Sequence, residues 1–269
     1  MSCAQRSARR RGTIVLIALA LIARAAVRPG LAMADQQTAH DIVQRADRLR
    51  GLATAYRFRA RITSRGSERA SEASESAEQA PAMLVEVWAN GYAQQLVLVL
   101  EPTRGDAMLV TPDVVWLRPR RLHRLTRIPP DLRLFNGASV SDVTSVDVLG
   151  SYDATLRPGT DEDESEYVVD LMANTPGMRY PRASYRIRRE DFHPVSIEFM
   201  AASGKPLKSI RYENFEIILG QTLPTKLIVE DHVYQDSATV VLSDFQTLPR
   251  VDPAMFAPDY LLSLTDGTS

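Results

Sequence analysis

The chain has 269 residues, with 32 basic and 33 acidic side chains and a formal net charge of −1. That balance argues against a nucleic-acid partner, whose phosphates demand a basic footprint. The only cysteine, Cys3, rules out an internal disulfide framework.

Arg6, Arg9, Arg10 and Arg11 precede an apolar run from Ile14 to Ala23, and Ala32-Met33-Ala34 offers a small-x-small cleavage site before Asp35. The run is about ten residues, too short to span a bilayer comfortably. This is the plan of a secretory signal peptide over residues 1–34, with an uncleaved anchor as the alternative. Cleavage would remove Cys3 together with six arginines and no acids, taking the formal net charge from −1 to −7. The mature part, 35–269, is then expected to be one thiol-free domain in an extracytoplasmic space, most simply a bacterial periplasm.

Residues 38–50 predict a helix, because Ala39, Ile42, Val43, Ala46 and Leu49 form one apolar stripe. Thr38 and Asp41 offer an N-cap, and Gly51 a stop. The period then changes to two, with Tyr56, Phe58, Ala60 and Ile62 alternating with Arg57, Arg59 and Arg61. Residues 67–81, rich in Ser, Glu and Ala, predict a mobile loop. Strand signals follow at 83–89, 94–100, 107–110, 114–117 and 122–128, with Asn90-Gly91 as a hairpin turn. Residues 141–150 predict a short helix capped by Ser141 or Asp142 and ended by Gly150, with Val143, Val146, Val148 and Leu149 near one side. Further strands are expected at 152–157, 167–173, 182–188, 194–200, 207–218, 223–234 and 238–246. About ten or eleven strands with segregated helices indicate an α+β or barrel-like antiparallel fold.

Motifs for bond chemistry are missing from this pattern. His40, His123, His193 and His232 stand at no metal-motif spacing. There is no G-x-S-x-G elbow and no glycine-rich phosphate loop, and the acidic tract Asp161–Glu164 lacks the spacing of a calcium loop. The expectation is a binding protein with no metal and no cofactor, not an enzyme.

Several segments carry a resemblance. Asp41–Gly51 followed by an alternating strand resembles the opening of the LolA-like outer-membrane lipoprotein-sorting family. Val114-Val-Trp-Leu-Arg-Pro119 is similar to that family's tryptophan strand, and Leu132–Ser139 with the helix after it to its mid-chain segment. The longest match, Tyr180 to Phe256, includes Gly204-Lys-Pro-Leu-Lys208, Leu223-Pro-Thr-Lys226 and Val251-Asp-Pro-Ala-Met-Phe256. The resemblance implies a strongly curved, open antiparallel sheet, an incomplete barrel whose concave face is covered by helices. It implies a periplasmic carrier of lipoprotein or lipid cargo between an inner-membrane exporter and an outer-membrane acceptor. The 67–81 loop is long and the mid-chain helix short for a standard carrier, which leaves the cargo open.

Each strand offers an apolar face that a curved sheet would gather into one cavity. The candidates are Tyr56, Phe58, Ile62, Leu96, Leu98, Leu100, Val169, Leu171, Tyr185, Ile187, Ile197 and Phe199. Val143 and Leu149 would contribute from a lid at 132–150. Trp88 and Trp116 are candidate cavity or rim residues, with ordinary core packing as the alternative. Arg118, Arg120, Arg121, Arg124 and Arg127 crowd one hairpin and could meet an acidic partner or a head group. The alternative function is a lipid sensor or exporter accessory with the same cavity and a protein contact as output.

Overall fold

The computed structural model describes residues 29–64, 82–92, 94–102, 104–111, 114–122, 124–129, 132–135, 138–144, 148–158 and 165–264. Most of the expected signal segment, the 67–81 loop, His123, Val146 and the 161–164 tract lie outside these residues.

Helix α1, Pro29–Arg48, starts nine residues before the position expected from its apolar stripe. Thr38 and Asp41 therefore lie inside the helix and cannot cap its start. Ala32, Met33, Ala34, Gln36 and Gln37 all favour helix and carry it through the apparent cap. The stripe itself behaves as read: Ala39, Ile42, Val43 and Ala46 are buried. They press on β9 (Tyr152–Leu156) and β11 (Arg182–Arg188).

Thirteen antiparallel strands form one sheet that does not close, and its edges are β6 (Thr126–Ile128) and β9. From β6 the order runs back through β5 (Val115–Arg118), β4 (Ala107–Val110), β3 (Gln94–Glu101) and β2 (Met83–Asn90) to β1 (Ala55–Ser64). Beside β1 lies β15 (Asp236–Thr247), then β14 (Gln221–Asp231), β13 (Pro206–Ile218), β12 (Pro194–Met200), β11, β10 (Glu166–Ala173) and β9. Two meanders thus meet where the first strand pairs with the last, and the fold is α+β with a curved open sheet. The expected strand 122–128 shortens to β6, because the arginine-rich stretch before it has no apolar alternation to bury. Gly91 turns the β2–β3 hairpin at φ 60°, and a Cβ there would approach Ala53 O to 2.9 Å.

A small hairpin, β7 (Arg133–Phe135) with β8 (Ala138–Ser139), precedes the lid. The lid is not one helix over 141–150. Two helical turns replace it, α2 (Val140–Val143) and α3 (Val148–Ser151). Ser139 is the N-cap of α2, in place of Ser141 or Asp142, and its backbone N–H donates to Asp142 Oδ2 at 2.6 Å. Gly150 lies inside α3 instead of ending it. A 3₁₀ turn, Pro253–Phe256, and a short helix α4, Pro258–Ser263, finish the described chain; neither was expected from the sequence.

Both sides of the sheet bury apolar surface. The main core lies on the concave side, under α1, α2 and α3, and includes Val85, Val87, Val97, Val99 and Met108. A second cluster lies on the opposite side of β2–β5, where Leu96, Ala107 and Leu109 meet Phe256 and Leu261 of the C-terminal segment. Neighbouring residues of a strand point to opposite faces, so Leu96 and Val97 belong to different cores.

Candidate functional site

The sheet wall opposite the lid is built from β1, β13, β14 and β15. Alternation along β14 buries Leu223, Thr225, Leu227 and Val229, and β13 buries Ile210 and Tyr212 on the same side. Tyr56 and Phe58 point inward from β1 and stack with Phe245 of β15, with centroids 5.7 Å and 5.3 Å apart along the row. Between this wall and α2 lies a cavity of about 40 Å³. Its lining includes Tyr56, Phe58, Val143, Ile210, Tyr212, Leu223, Leu227, Leu242 and Phe245, with Arg50 and Asp142 as its charged members. A space of that size admits one or two waters and no acyl chain. Around this space the concave side is packed with the protein's own side chains.

The lid is held down by polar groups inside an apolar core. Lys208 of β13 and Asp142 of α2 form an ion pair, with their side chains only 3% and 2% exposed. Lys208 Nζ also donates to Ser139 Oγ at 3.0 Å. A second pair lies where α1 ends: Arg50 donates to Asp47 Oδ1 at 2.8 Å, while Asp47 Oδ2 accepts the backbone N–H of Val148 at 3.2 Å. One carboxylate therefore ties α1 to α3. Burial works against the Arg50 charge, but Asp47 outweighs it with help from Tyr212 and Tyr185, and the guanidinium is held well above its ordinary pKa. Burial raises the phenols of Tyr185 and Tyr212, so both stay neutral. The Tyr185 hydroxyl lies within electrostatic reach of Asp47 but makes no well-aligned hydrogen bond.

Of the cavity residues expected from the sequence, Tyr56, Phe58 and Val143 line the space. Ile62, Val169, Leu171, Tyr185, Ile187 and Ile197 are buried in the same core, and Leu149 and Phe199 pack against it half-buried. The structure does not bring Trp88, Leu96, Leu98 and Trp116 to this site. They belong to the cluster on the other face, and Leu100 is half-buried at the bulge opposite Leu84 and Val85. Arg50, Leu223, Leu227 and Phe245 were missed. Alternation along β14 could have found Leu223 and Leu227. Phe245 is shifted into place by a bulge opposite Phe58, which no periodicity reveals.

The arginine hairpin divides likewise. Arg118 is 2% exposed and donates to Leu264 O at 2.7 Å and Gly105 O at 3.1 Å. Arg127 stacks on Trp116, 4.4 Å from the ring centroid. Arg120 donates to Arg104 O, and Arg121 and Arg124 are exposed. Among the described residues, no group of three or more His, Cys, Asp or Glu could hold a metal, and no helix is long and apolar enough to cross a membrane.

An open bent sheet with helical turns clamped over its concave side defines a LolA-like fold, and solved structures share it. A LolA superfamily protein of Nitrosomonas europaea superposes with a TM-score of 0.69 at 25% identity, over 82% of this chain and 98% of that one. An outer membrane lipoprotein-sorting protein domain of Vibrio parahaemolyticus gives 0.69 at 15% identity, over 84% and 99%. A DUF1329 family protein of Desulfovibrio piger gives 0.68 at 14%, over 86% and 98%. A family model described as "Uncharacterized protein" matches residues 91–263, more than half of the sequence, and the chain belongs to that family. No curated protein matches the sequence.

Proposed function

We propose that this protein is an exported carrier that holds the acyl part of a lipoprotein or lipid beneath its lid and moves it toward the outer membrane. A periplasmic location follows from the same reading, with the signal segment removed near Ala34, an inner-membrane exporter as donor and an outer-membrane acceptor. The observation that carries it is a lid held over an apolar wall by a buried ion pair, Lys208–Asp142. A permanent core would be closed more cheaply by hydrocarbon alone.

Energetics support a lid that opens. Desolvation of Lys208 and Asp142 cancels much of their attraction, and lifting the lid returns both charges to water. The clamp is thus specific in geometry but modest in net strength. An acyl chain would gain about 0.8 kcal/mol per buried CH₂, or roughly 10 kcal/mol for a dozen before ordering costs. That gain exceeds the cost of releasing one such pair. The lipoprotein-sorting domain and the LolA superfamily protein that share the fold lend the reading further support.

The test is binding of a fluorescent fatty acid by wild type and by Val143→Glu and Leu149→Glu variants. A charge on the lid's inner side is expected to weaken binding by about tenfold or more, since burying it unpaired costs several kcal/mol. Unchanged affinity rejects the lid. Mass spectrometry of protein purified from its native envelope should find bound lipid or lipoprotein and a new N-terminus near Asp35.

A further inference from the structure

The sheet forks beside the cavity. The β14–β15 ladder runs from Asp231–Asp236 to Lys226–Val241 and stops there, although both strands continue. Residues 221–225 pair with β13, and residues 242–247 run along β1. The two stretches pass without a ladder between them. Several features hold the fork apart. Asp244 has a left-handed backbone at φ 56°, and with Phe245 it bulges opposite Phe58. Asn214, beside Thr225, has φ 52°, and the Thr225 hydroxyl donates to Asn214 O. Pro224 has no N–H with which to bridge the gap. The outer end is tied by Gln221, whose amide donates to Arg48 O at 2.6 Å and to Gly51 O at 3.0 Å.

Leu223, Pro224, Leu242 and Phe245 line both this fork and the cavity behind it. Outside it, Ile217 and Leu219 on the β13–β14 hairpin are exposed. We propose that the fork is the doorway through which a single acyl chain passes, tail first, while its polar head stays at the outer surface. The proposal rests on the lipid-binding reading and adds the route. Spreading strands that share no ladder breaks no backbone hydrogen bonds, whereas lifting the lid first exposes a buried ion pair. The lid therefore supplies room, and the fork supplies passage.

These roles separate in kinetics. A doorway changes uptake and release by the same factor and leaves affinity alone, whereas a lid changes affinity. In protein carrying Cys3→Ser, a short bis-maleimide would join Thr222→Cys to Ser243→Cys after folding. Uptake and release of dansyl-undecanoic acid would be followed by stopped flow, with the unjoined double variant as the folding control. Joining the fork is expected to slow both rates by about tenfold or more, with Kd within about twofold. Gln221→Ala, which frees the outer end, is expected to speed both. Unchanged rates in both variants, or a weaker Kd that comes from a change in only one of the two rates, overturns the doorway. Absence of uptake by the unjoined protein defeats the lipid-binding reading itself, and the doorway with it.

Discussion

On the concave side, packing between strands and helices is interrupted by Lys208, Asp142, Arg50 and Asp47. On the opposite side of β2–β5, Leu96, Leu109, Phe256 and Leu261 close on one another, and Arg118 pins the segment after the C-terminal helix through Leu264 O. Both regions are buried, yet they are fastened differently. The Lys208–Asp142 pair joins the lid to β13, and Asp47, paired locally with Arg50, joins α1 to the lid through the Val148 N–H, all contacts that water can replace. The outer cluster is fastened by hydrocarbon, which water cannot replace without the full transfer cost. The first is suited to opening and the second to staying shut.

The strongest way to break this contrast is to unbalance the lid pair. Lys208→Ala leaves Asp142 buried without its cation and is expected to cost about 3–5 kcal/mol of stability in urea denaturation. The joint replacement Lys208→Met with Asp142→Leu should recover most of that loss, because hydrocarbon of similar volume suits the site. It should also make the lid harder to open, so fatty-acid affinity falls while the fold stays stable. A double variant as unstable as Lys208→Ala would show that the pair is structural and not a clasp.

Leu261→Ala probes the other face. Leu261 is fully buried between the C-terminal helix and β4–β5, and its truncation is expected to cost about 2–4 kcal/mol. Fatty-acid affinity of the folded protein should not change. A change in affinity would mean that the two faces are coupled through the sheet.

The way the two faces were legible in the sequence follows the same division. The α1 stripe and the alternation of Tyr56, Phe58 and Ile62 read correctly, because each has a polar side that fixes the phase. β3 offers Leu96, Val97, Leu98, Val99 and Leu100 in succession. With both faces covered, nothing polar marks which residues face the cavity, and the leucines were assigned to the wrong side. The buried pair was hidden for the opposite reason. A lysine and an aspartate 66 positions apart read as solvent-facing until the fold brings them together. The C-terminal turn and α4 are too short to establish a period.

Tryptophan fluorescence sharpens the contrast without disturbing stability. Trp88 and Trp116 lie in the outer cluster, so a brominated fatty acid bound beneath the lid should leave their emission almost unchanged. A Phe245→Trp variant places an indole on the cavity wall and should be quenched on binding. Strong quenching in wild type would place the ligand against the outer face and reverse the assignment of the two regions.

The smallest expected effect lies outside both regions, at the β11–β12 turn. Arg188 and His193 both contact Asp191 there. Partial burial disfavours the Asp191 carboxylate, but hydrogen bonds from Arg188 and His193 outweigh it and hold its pKa well below the usual range. A depressed folded pKa contributes stability above the unfolded value of about 3.9 and loses it as pH falls toward the folded one. Asp191→Asn should therefore lower stability by a constant amount above about pH 5, and the deficit should shrink in stronger acid. With Asp191 35% exposed, solvent screening keeps that amount below about 1 kcal/mol. Urea titrations at pH 7 and pH 3 check the sign. If the deficit instead grew in acid, the carboxylate would be bound more tightly in its protonated form and the turn would be held by a different contact. Fatty-acid affinity at pH 7 should not change in this variant, since no part of the turn lines the cavity or the lid's clasp.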